Sequence, residues 1–150
     1  MDIRSQIEEY FDLLDMKYEW NEDAEAFELV FRERKDELPA KAGFEEDGNY
    51  FRYSIWVKPM TKWIQIWCDV YSLEDIPADK REKVFLDLLQ SNREYAEVCF
   101  DYEKDRQMIG TSQEMMIQGL NFDAFREEFL AVPWSVKKFW TKIAKDYELK

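Results

Sequence analysis

The sequence predicts an α+β fold in which helices cover one face of a mainly antiparallel, five-stranded sheet. In the middle of the chain apolar residues alternate with polar ones, which is the period of a strand, whereas the flanking segments repeat every three or four residues, as helices do. The predicted strands follow one another through short connections, and these favour antiparallel neighbours. The predicted order is helix, three strands, helix, two strands, helix, within a single domain over residues 1–150.

The first helix and the first long strand are predicted near the N-terminus. Residues 2–15 carry apolar side chains at three- and four-residue spacing, with charged residues between them. Trp20 lies in an acidic segment that is either a short extended piece or the first strand. Residues 26–33 alternate as a half-buried strand does, and the side chains predicted to face inward are Phe27, Leu29 and Phe31.

The segment over residues 34–49 is the least regular part of the chain. It is compatible with a short helix over residues 36–42 that ends at Gly43, or with a loop, because Pro39 is tolerated only in the first turn of a helix. The next strand is predicted over residues 50–57 and is joined to the following one as a hairpin.

The central strand is predicted over Trp63–Tyr71, the longest run of strand-favouring residues. Because successive side chains of a strand point to opposite faces, one face is aliphatic and suits packing under helices. That face carries Ile64, Ile66, Cys68 and Val70. The other face is aromatic with polar breaks, and it carries Trp63, Gln65, Trp67, Asp69 and Tyr71.

The second half of the chain is predicted to add a helix, a hairpin and a final helix. The second helix enters around Pro77 and runs to about Ser91, with a buried stripe formed by Val84, Phe85, Leu88 and Leu89. Two strands follow, and Gly110 in the second indicates a bulge or a close approach. Asn121 is the predicted N-cap of the last helix, and Pro133 is predicted to break or kink that helix.

The charge and composition of the chain limit the kinds of molecule that we expect it to bind. The 150-residue chain has a formal net charge of −12 and no histidine. An acidic protein repels phosphate backbones and anionic lipids, so we expect no nucleic-acid or membrane partner. Residues 1–37 hold 13 acidic and 5 basic residues, a net charge of 5 − 13 = −8. A basic or amphipathic protein segment is the expected partner, and the alternative is that the charge only confers solubility.

The N-terminus shows no signal-peptide core, so we expect a cytoplasmic protein. In a reducing compartment the two cysteines, Cys68 and Cys99, are expected to be buried thiols. Two cysteines without histidine are a poor zinc site, and we expect neither a metal nor a cofactor.

Three segments resemble a known fold: Val84–Asn92, the hairpin around Phe100–Ile109, and Gly119–Phe122 at the entry to the last helix. With the order of elements, the length and the acidity, they resemble the type III secretion chaperone-like fold and, within it, the bacterial YbjN-like domain family. The resemblance implies a cytoplasmic, often dimeric binding domain. YbjN-like members have no established enzymatic activity, and the secretion chaperones bind an unfolded protein segment.

The sequence offers little for catalysis. Without histidine, a Ser-His-Asp or Cys-His arrangement is excluded, and no glycine-rich phosphate loop occurs. The paired carboxylates along the chain lie in polar surroundings and are expected to face solvent. Asp69 is the one acid in the middle of a strong strand. It is either a functional acid or, as we favour, the partner of Arg52 or of another cation across the sheet.

The tryptophans give the strongest functional signal, because the central strand is apolar on both faces. The aromatic face is either covered by another part of the chain or exposed as an interface for a second copy or a protein client. The predicted protein-binding residues are Trp56, Trp63, Trp67 and Tyr71. The leading hypothesis is a non-enzymatic, self-associating protein-binding domain. The alternatives are a small-ligand sensor or enzyme with an aromatic pocket around Asp69, and a structural subunit.

Overall fold

Within the described residues, seven strands form one antiparallel sheet and the helices lie against one of its faces. The computed structural model describes residues 2–38 and 44–150. The strands are β1 (Glu19–Asn21), β2 (Ala26–Arg34), β3 (Glu45–Asp47), β4 (Tyr50–Pro59), β5 (Trp63–Ser72), β6 (Phe100–Glu103) and β7 (Met108–Met116). The helices are α1 (Ile3–Leu13), α2 (Arg81–Glu94), α3 (Phe122–Lys138) and the short α4 (Ala144–Asp146), with a 3₁₀ turn at Leu73–Asp75 and a π-helical segment at Phe139–Ile143.

The α+β class, the antiparallel pairing and the placement of the helices are confirmed, but the strand number is corrected from five to seven. The two added strands are β1, which contains Trp20, and β3, which pairs with β4. The sheet order is β1-β2-β4-β5-β7-β6. The short helix or loop considered over residues 36–42 lies largely outside the described residues, as do Pro39 and Gly43.

An aromatic core joins the helices to the inner face of the sheet. In β2 the predicted inward residues Phe27 and Leu29 are buried, and Phe31 packs against the core. Phe11 of α1 meets Phe27 edge-on at 5.4 Å and packs against Phe129 of α3 at 5.7 Å between ring centroids. Such ring pairs stabilise beyond the area they bury. The inner face is therefore closed, and any interaction site lies elsewhere.

Pro133 was predicted to break or kink the last helix, and α3 continues through it, so there is no break. Asn121 is the N-cap as predicted, and its side chain accepts a hydrogen bond from the Ala124 N–H at 2.9 Å. A proline inside a helix removes one backbone hydrogen bond. Here buried side chains on both sides of it, including Phe129 and Val136, hold the helix against the sheet.

A bulge in β5 reverses the predicted orientation of Tyr71. The pairing with β7 shifts register between Asp69 and Tyr71, and an extra residue in a strand turns the following side chains over. Tyr71 is consequently buried on the helix side, where its ring lies 5.5 Å from that of Trp140. Its hydroxyl donates to the Lys150 carbonyl at 2.8 Å. Tyr71 therefore does not share a face with Trp67.

Gly110 lies opposite the bulge, where a Cβ atom would come within 2.8 Å of the Cys68 carbonyl oxygen. The predicted close approach is confirmed, and any larger residue would push β5 and β7 apart. Cys68 is buried as expected, and burial raises the pKa of its thiol. Cys99, which was also expected to be buried, is exposed just before β6.

Fewer apolar residues of helix α2 are buried than their spacing in the sequence predicts. It begins at Arg81 and runs to Glu94. Val84 and Leu88 are buried as predicted, whereas Phe85 and Leu89 are exposed. The reason is its position at the edge of the sheet, over the four-residue strand β6, which covers only a narrow stripe of the helix.

Candidate protein-binding site

The face of the sheet turned away from the helices is the candidate site, and we call it the open sheet face. Within the described residues no helix packs on it. Strand alternation and register place there the side chains that the core does not use. These are Glu28, Val30 and Arg32 of β2, Arg52, Ser54, Trp56 and Lys58 of β4, Trp63, Gln65, Trp67 and Asp69 of β5, Ser112, Glu114 and Met116 of β7, and Asp101 and Glu103 of β6.

A pair of tryptophans lies at the centre of the open sheet face. Trp56 and Trp67 are directly opposite one another on neighbouring strands, as the hairpin register allows. Their rings are nearly parallel, at 17°, with centroids 6.3 Å apart, and both are half-buried. Trp63 stands at the rim, 44% exposed and opposite Met116. Three of the four predicted residues thus share this face, and Tyr71 does not.

The arginines of this face are already paired with carboxylates. Arg52 pairs with Glu45 and Arg32 with Asp47, the latter at 3.1 Å. Several carboxylates, in contrast, have no cation within 4 Å among residues 2–38 and 44–150. Glu28 accepts a hydrogen bond from the Ser54 hydroxyl at 2.7 Å, and Glu114 accepts one from the Gln65 amide. The face carries five carboxylates against the three basic side chains of Arg32, Arg52 and Lys58, so its surplus charge is negative.

Asp69 is paired with Arg106, from the turn between β6 and β7, and not with Arg52. Arg106 also approaches Glu103 at 3.3 Å, so it spans two acids. Asp101 lies across Gly110 from Asp69. Desolvation of the Asp101 carboxyl raises its pKa, a hydrogen bond from Ser112 opposes this, and the charge of Asp69 adds to the rise. An ion-paired Asp69 is poorly suited to act as a free catalytic acid.

Two shallow hollows border Asp69. One, of about 370 Å³, lies between Trp56 and the end of β5. The other, of about 400 Å³, lies between Trp67 and Glu103. Both are open to solvent, and neither forms an enclosed aromatic cavity. A small ligand is usually buried over most of its surface, so these hollows fit single side chains of a larger partner better.

A groove of about 1050 Å³ runs along the outer edge of β2. Strand β1 pairs only with residues 26–28 of β2, and in the described part of the chain no strand pairs with the outer edge beyond them. The acids that line the groove are Asp12, Asp15, Glu19 and Glu28. The sequence showed the acidity of this region. It did not show the free edge, because nothing in the pattern fixes how short β1 is.

The described residues contain no group of three His, Cys, Asp or Glu side chains placed to hold a metal ion. No helix among residues 2–38 and 44–150 combines the length and the apolarity that crossing a membrane requires.

No protein-family model matches the sequence, and no curated protein matches it either. Solved structures match it in fold. YbjN from E. coli superimposes with a TM-score of 0.62 at 12% identity, over 97% of this chain and 92% of that one. The HopA1–SchA chaperone–effector complex gives 0.57 at 10% identity, over 91% of each chain.

A third match is the heterodimeric ExoU–SpcU complex from the type III secretion system of Pseudomonas aeruginosa, with a TM-score of 0.54 at 12% identity, over 90% of this chain and 95% of that one. Each match spans nearly the whole of both chains. The chain therefore has the type III secretion chaperone-like fold that the order of its elements indicated.

Proposed function

We propose that this protein is a non-enzymatic, self-associating binding domain that holds an extended segment of a protein partner on its open sheet face. The observation that carries the proposal is the Trp56–Trp67 pair, with the exposed Trp63 beside it, on a face that no described helix covers. Buried aromatic side chains dominate the energetics of many protein interfaces. Exposed rings arranged in this way supply the apolar part of such an interface.

The charge of the site selects the partner. The arginines of the open sheet face are neutralised within the chain, and the groove beside β2 adds further carboxylates. A segment with lysine or arginine alternating with apolar residues satisfies both features. Its apolar side chains cover the tryptophans, and its cations meet Glu28 and Glu114.

The fold likeness supports the same class of function. Two of the matching structures are complexes with a protein partner, one of them described as a chaperone–effector complex. At 10–12% identity this likeness concerns fold, so the proposal depends on the aromatic and charged side chains of this chain.

A synthetic peptide tests the proposal directly. The probe is a fluorescein-labelled peptide of about twelve residues in which lysine alternates with valine, and its counterpart carries glutamate in place of lysine. Fluorescence anisotropy measures binding to the wild type, to Trp63→Ser and to Trp134→Ser. Trp134 is the matched control, because it is 47% exposed on the helix side while Trp63 is 44% exposed on the open sheet face.

We expect the lysine peptide to bind, the glutamate peptide not to bind, and Trp63→Ser to weaken binding about tenfold or more. Trp134→Ser should leave affinity unchanged within about twofold. Equal losses in the two variants, or no binding of the lysine peptide at about 1 mM, would reject the open sheet face as the site.

A further inference from the structure

The flank of α3 that faces away from the sheet carries a row of four side chains, which we call the α3 ridge. The row runs Leu130, Trp134, Lys138 and Lys142 at a spacing of four residues, and its last member lies in the π-helical segment. Leu130 is 39% and Trp134 47% exposed, although both side chains are large and apolar. Side chains four residues apart form the ridge by which one helix most often packs on another. Two such neighbours, both exposed, mark a surface on which a further helix can pack.

The ring of Tyr95 holds the second half of the α3 ridge in place. Tyr95 is the C-cap residue of α2, where the backbone becomes extended. Its ring meets that of Trp134 edge-on, with 5.6 Å between centroids. The Lys138 ammonium lies 4.2 Å from the centre of the same ring, and the Lys142 ammonium lies 5.7 Å from it. Because a cation is attracted to the face of an aromatic ring, both ammonium groups are held on one side of the helix, beside Trp134.

The charges of these two lysines are not neutralised within the chain. Lys137 pairs with Glu33 at 3.4 Å, whereas Lys138 and Lys142 have no carboxylate within 4 Å among the residues that the structure describes. Residues 129–145 contain four lysines and no acid, in a chain whose net charge is −12. The helix dipole favours cations at this end of α3, but it does not account for the exposed apolar pair next to them. The α3 ridge is therefore a local positive and apolar site on a negative protein.

We propose that the α3 ridge binds an acidic, amphipathic helix of a second protein partner. The apolar side chains of that helix cover Leu130 and Trp134, and its carboxylates meet the ammonium groups of the two lysines. The ridge spans twelve residues from Leu130 to Lys142, which corresponds to about 18 Å of helix. Three to four turns of a partner helix are therefore enough to cover it.

A single-stranded nucleic acid also binds aromatic rings and lysines, but this chain disfavours it. The net charge of −12 repels an extended chain of phosphates. A short helix with a few carboxylates near one end responds mainly to the local charge, because more distant charges are screened. Leu130 contributes nothing to phosphate binding, whereas it adds apolar area to a contact between helices. These features favour a protein helix as the occupant.

The inference goes beyond the proposed client site and does not depend on it. Helix α3 packs on β5 and β7 from the core side, so the α3 ridge and the open sheet face lie on opposite sides of the sheet. The two surfaces also select opposite charges. A basic extended segment and an acidic helix can thus bind at the same time, which would make the domain an adaptor between two partners.

Fluorescence anisotropy with a synthetic helix tests the inference on the intact chain. The probe is a fluorescein-labelled peptide of about sixteen residues, with leucine at every third or fourth position, alanine between them and glutamate in the first two turns. One counterpart carries lysine in place of glutamate, and a second has the same residues in an order without an apolar face. We expect the acidic helix to bind with a dissociation constant of about 100 μM or lower, and each counterpart to bind about tenfold more weakly or not at all.

Charge reversal tests the role of the two lysines. Lys138→Glu/Lys142→Glu should weaken binding of the acidic helix about thirtyfold, because both attractions become repulsions. Lys138→Arg/Lys142→Arg should retain binding, since arginine keeps the charge and the contact with an aromatic ring. The matched control is Lys62→Glu/Lys104→Glu, which changes the net charge equally at two exposed positions in the β4–β5 and β6–β7 turns. It should leave the affinity unchanged within about twofold.

Tryptophan substitution separates this site from the client site. Trp134→Ser should weaken binding of the acidic helix about tenfold, and Trp63→Ser should not change it. Circular dichroism verifies that each variant is folded. Failure of the lysine peptide to bind the open sheet face would reject the proposed client site and leave this inference standing.

Four results would overturn the inference. They are no binding of the acidic helix at about 1 mM, equal losses in the two lysine-to-glutamate double variants, equal binding of the peptide without an apolar face, and equal losses in Trp134→Ser and Trp63→Ser. A labelled oligothymidylate of about twelve nucleotides checks the other class of partner. If it bound more tightly than the acidic helix and lost binding in Lys138→Glu/Lys142→Glu, the α3 ridge would be a nucleic-acid site instead.

Discussion

At the scale of single residues, Gly110 allows β5 and β7 to approach closely beside the bulge. Its missing side chain lets the Cys68 carbonyl approach, and it also leaves room for the Asp101 carboxylate, whose Oδ1 lies 3.0 Å from the position of a Cβ atom. The bulge opposite Gly110 turns Tyr71 into the core, whereas Asp69, which precedes the bulge, stays on the open sheet face. Asp69 and Tyr71, two residues apart in β5, thus lie on opposite sides of the sheet.

We predict that Gly110→Ala lowers the free energy of unfolding by about 3 kcal/mol, the upper range for a group forced into a filled space. The contact is with backbone, so no side chain can rotate away to relieve it. The measurement is urea unfolding followed by fluorescence. Gly48→Ala is the control, since a Cβ atom there meets nothing within 4 Å and only its positive φ of 59° is strained. That strain costs about 1 kcal/mol, and a similar loss in both variants would contradict the predicted clash.

Asp101 is a second single residue with a testable effect, because its ionisation makes the stability of the fold depend on pH. Desolvation raises its pKa above the ordinary value of 3.8, against the Ser112 hydrogen bond, and the charge of Asp69 adds to this. A raised pKa in the folded state means that the protonated form favours folding. The contribution is complete below the ordinary value and is lost as the pH rises through the folded-state pKa. At neutral pH the charged Asp101 therefore lowers stability.

We accordingly expect Asp101→Asn to stabilise the protein at pH 7 and to have little effect near pH 3. Asparagine keeps an oxygen that accepts the Ser112 hydrogen bond but carries no charge. Urea midpoints at the two pH values measure the difference. Asp105→Asn, in the turn of the same hairpin, controls for the loss of one negative charge. A stabilisation by Asp101→Asn that is equal at both pH values would show that charge is not the cause.

At the scale of helices and strands, the sequence predicted an element well where one of its faces is buried. The alternation in β2, β4 and β5 follows the core directly, whereas the position of Trp56 opposite Trp67 depended on the register of the β4–β5 hairpin. The bulge was not predictable, because Val70 and Tyr71 are both apolar and their order is compatible with either orientation. Strand β3 was missed because its residues, Glu45–Asp47, are exposed and lack any apolar pattern.

The exposure of α2 was missed for a different reason. Periodicity shows which side of a helix is apolar, but not how wide the surface beneath it is. Phe85 and Leu89 have the spacing of core residues, and only the position of α2 over the edge of the sheet leaves them uncovered. The spacing of apolar residues in a helix therefore does not distinguish residues buried in the core from apolar residues exposed at an interface.

Asn92 provides the prediction for this element. Its side chain makes two hydrogen bonds to Phe100 and ties the end of α2 to β6. We expect Asn92→Ala to lower the free energy of unfolding by about 2 kcal/mol, since each hydrogen bond contributes about 1 kcal/mol. Gln90→Ala, on the exposed side of the same helix, should change stability by less than about 0.5 kcal/mol. Equal and small effects in urea unfolding would show that β6 does not depend on this amide.

In the whole molecule, apolar surface and charge are separated in a way that suits two kinds of contact. The net charge of −12 is concentrated towards the N-terminal third, where α1, β1 and β2 border the acidic groove. The exposed apolar surface of α2 lies at the opposite edge of the sheet order, beside β6. The acidic groove and the apolar surface of α2 therefore lie at opposite edges of the sheet and share no side chains.

This separation predicts how the lysine–valine peptide binds. Charges steer association over about a Debye length, which is about 10 Å at 0.1 M salt, and they raise the association rate more than they slow dissociation. We expect the association rate in stopped-flow measurements to fall at least tenfold between about 20 and about 300 mM salt, with a smaller change in the dissociation rate.

The double variant Asp12→Asn/Asp15→Asn, which neutralises two acids of the groove, should lower the association rate at low salt. Glu74→Gln/Asp79→Asn removes the same charge from exposed positions that do not line the groove and should have little effect. If both double variants slowed association equally, the net charge of the whole protein, and not the groove beside β2, would attract the client.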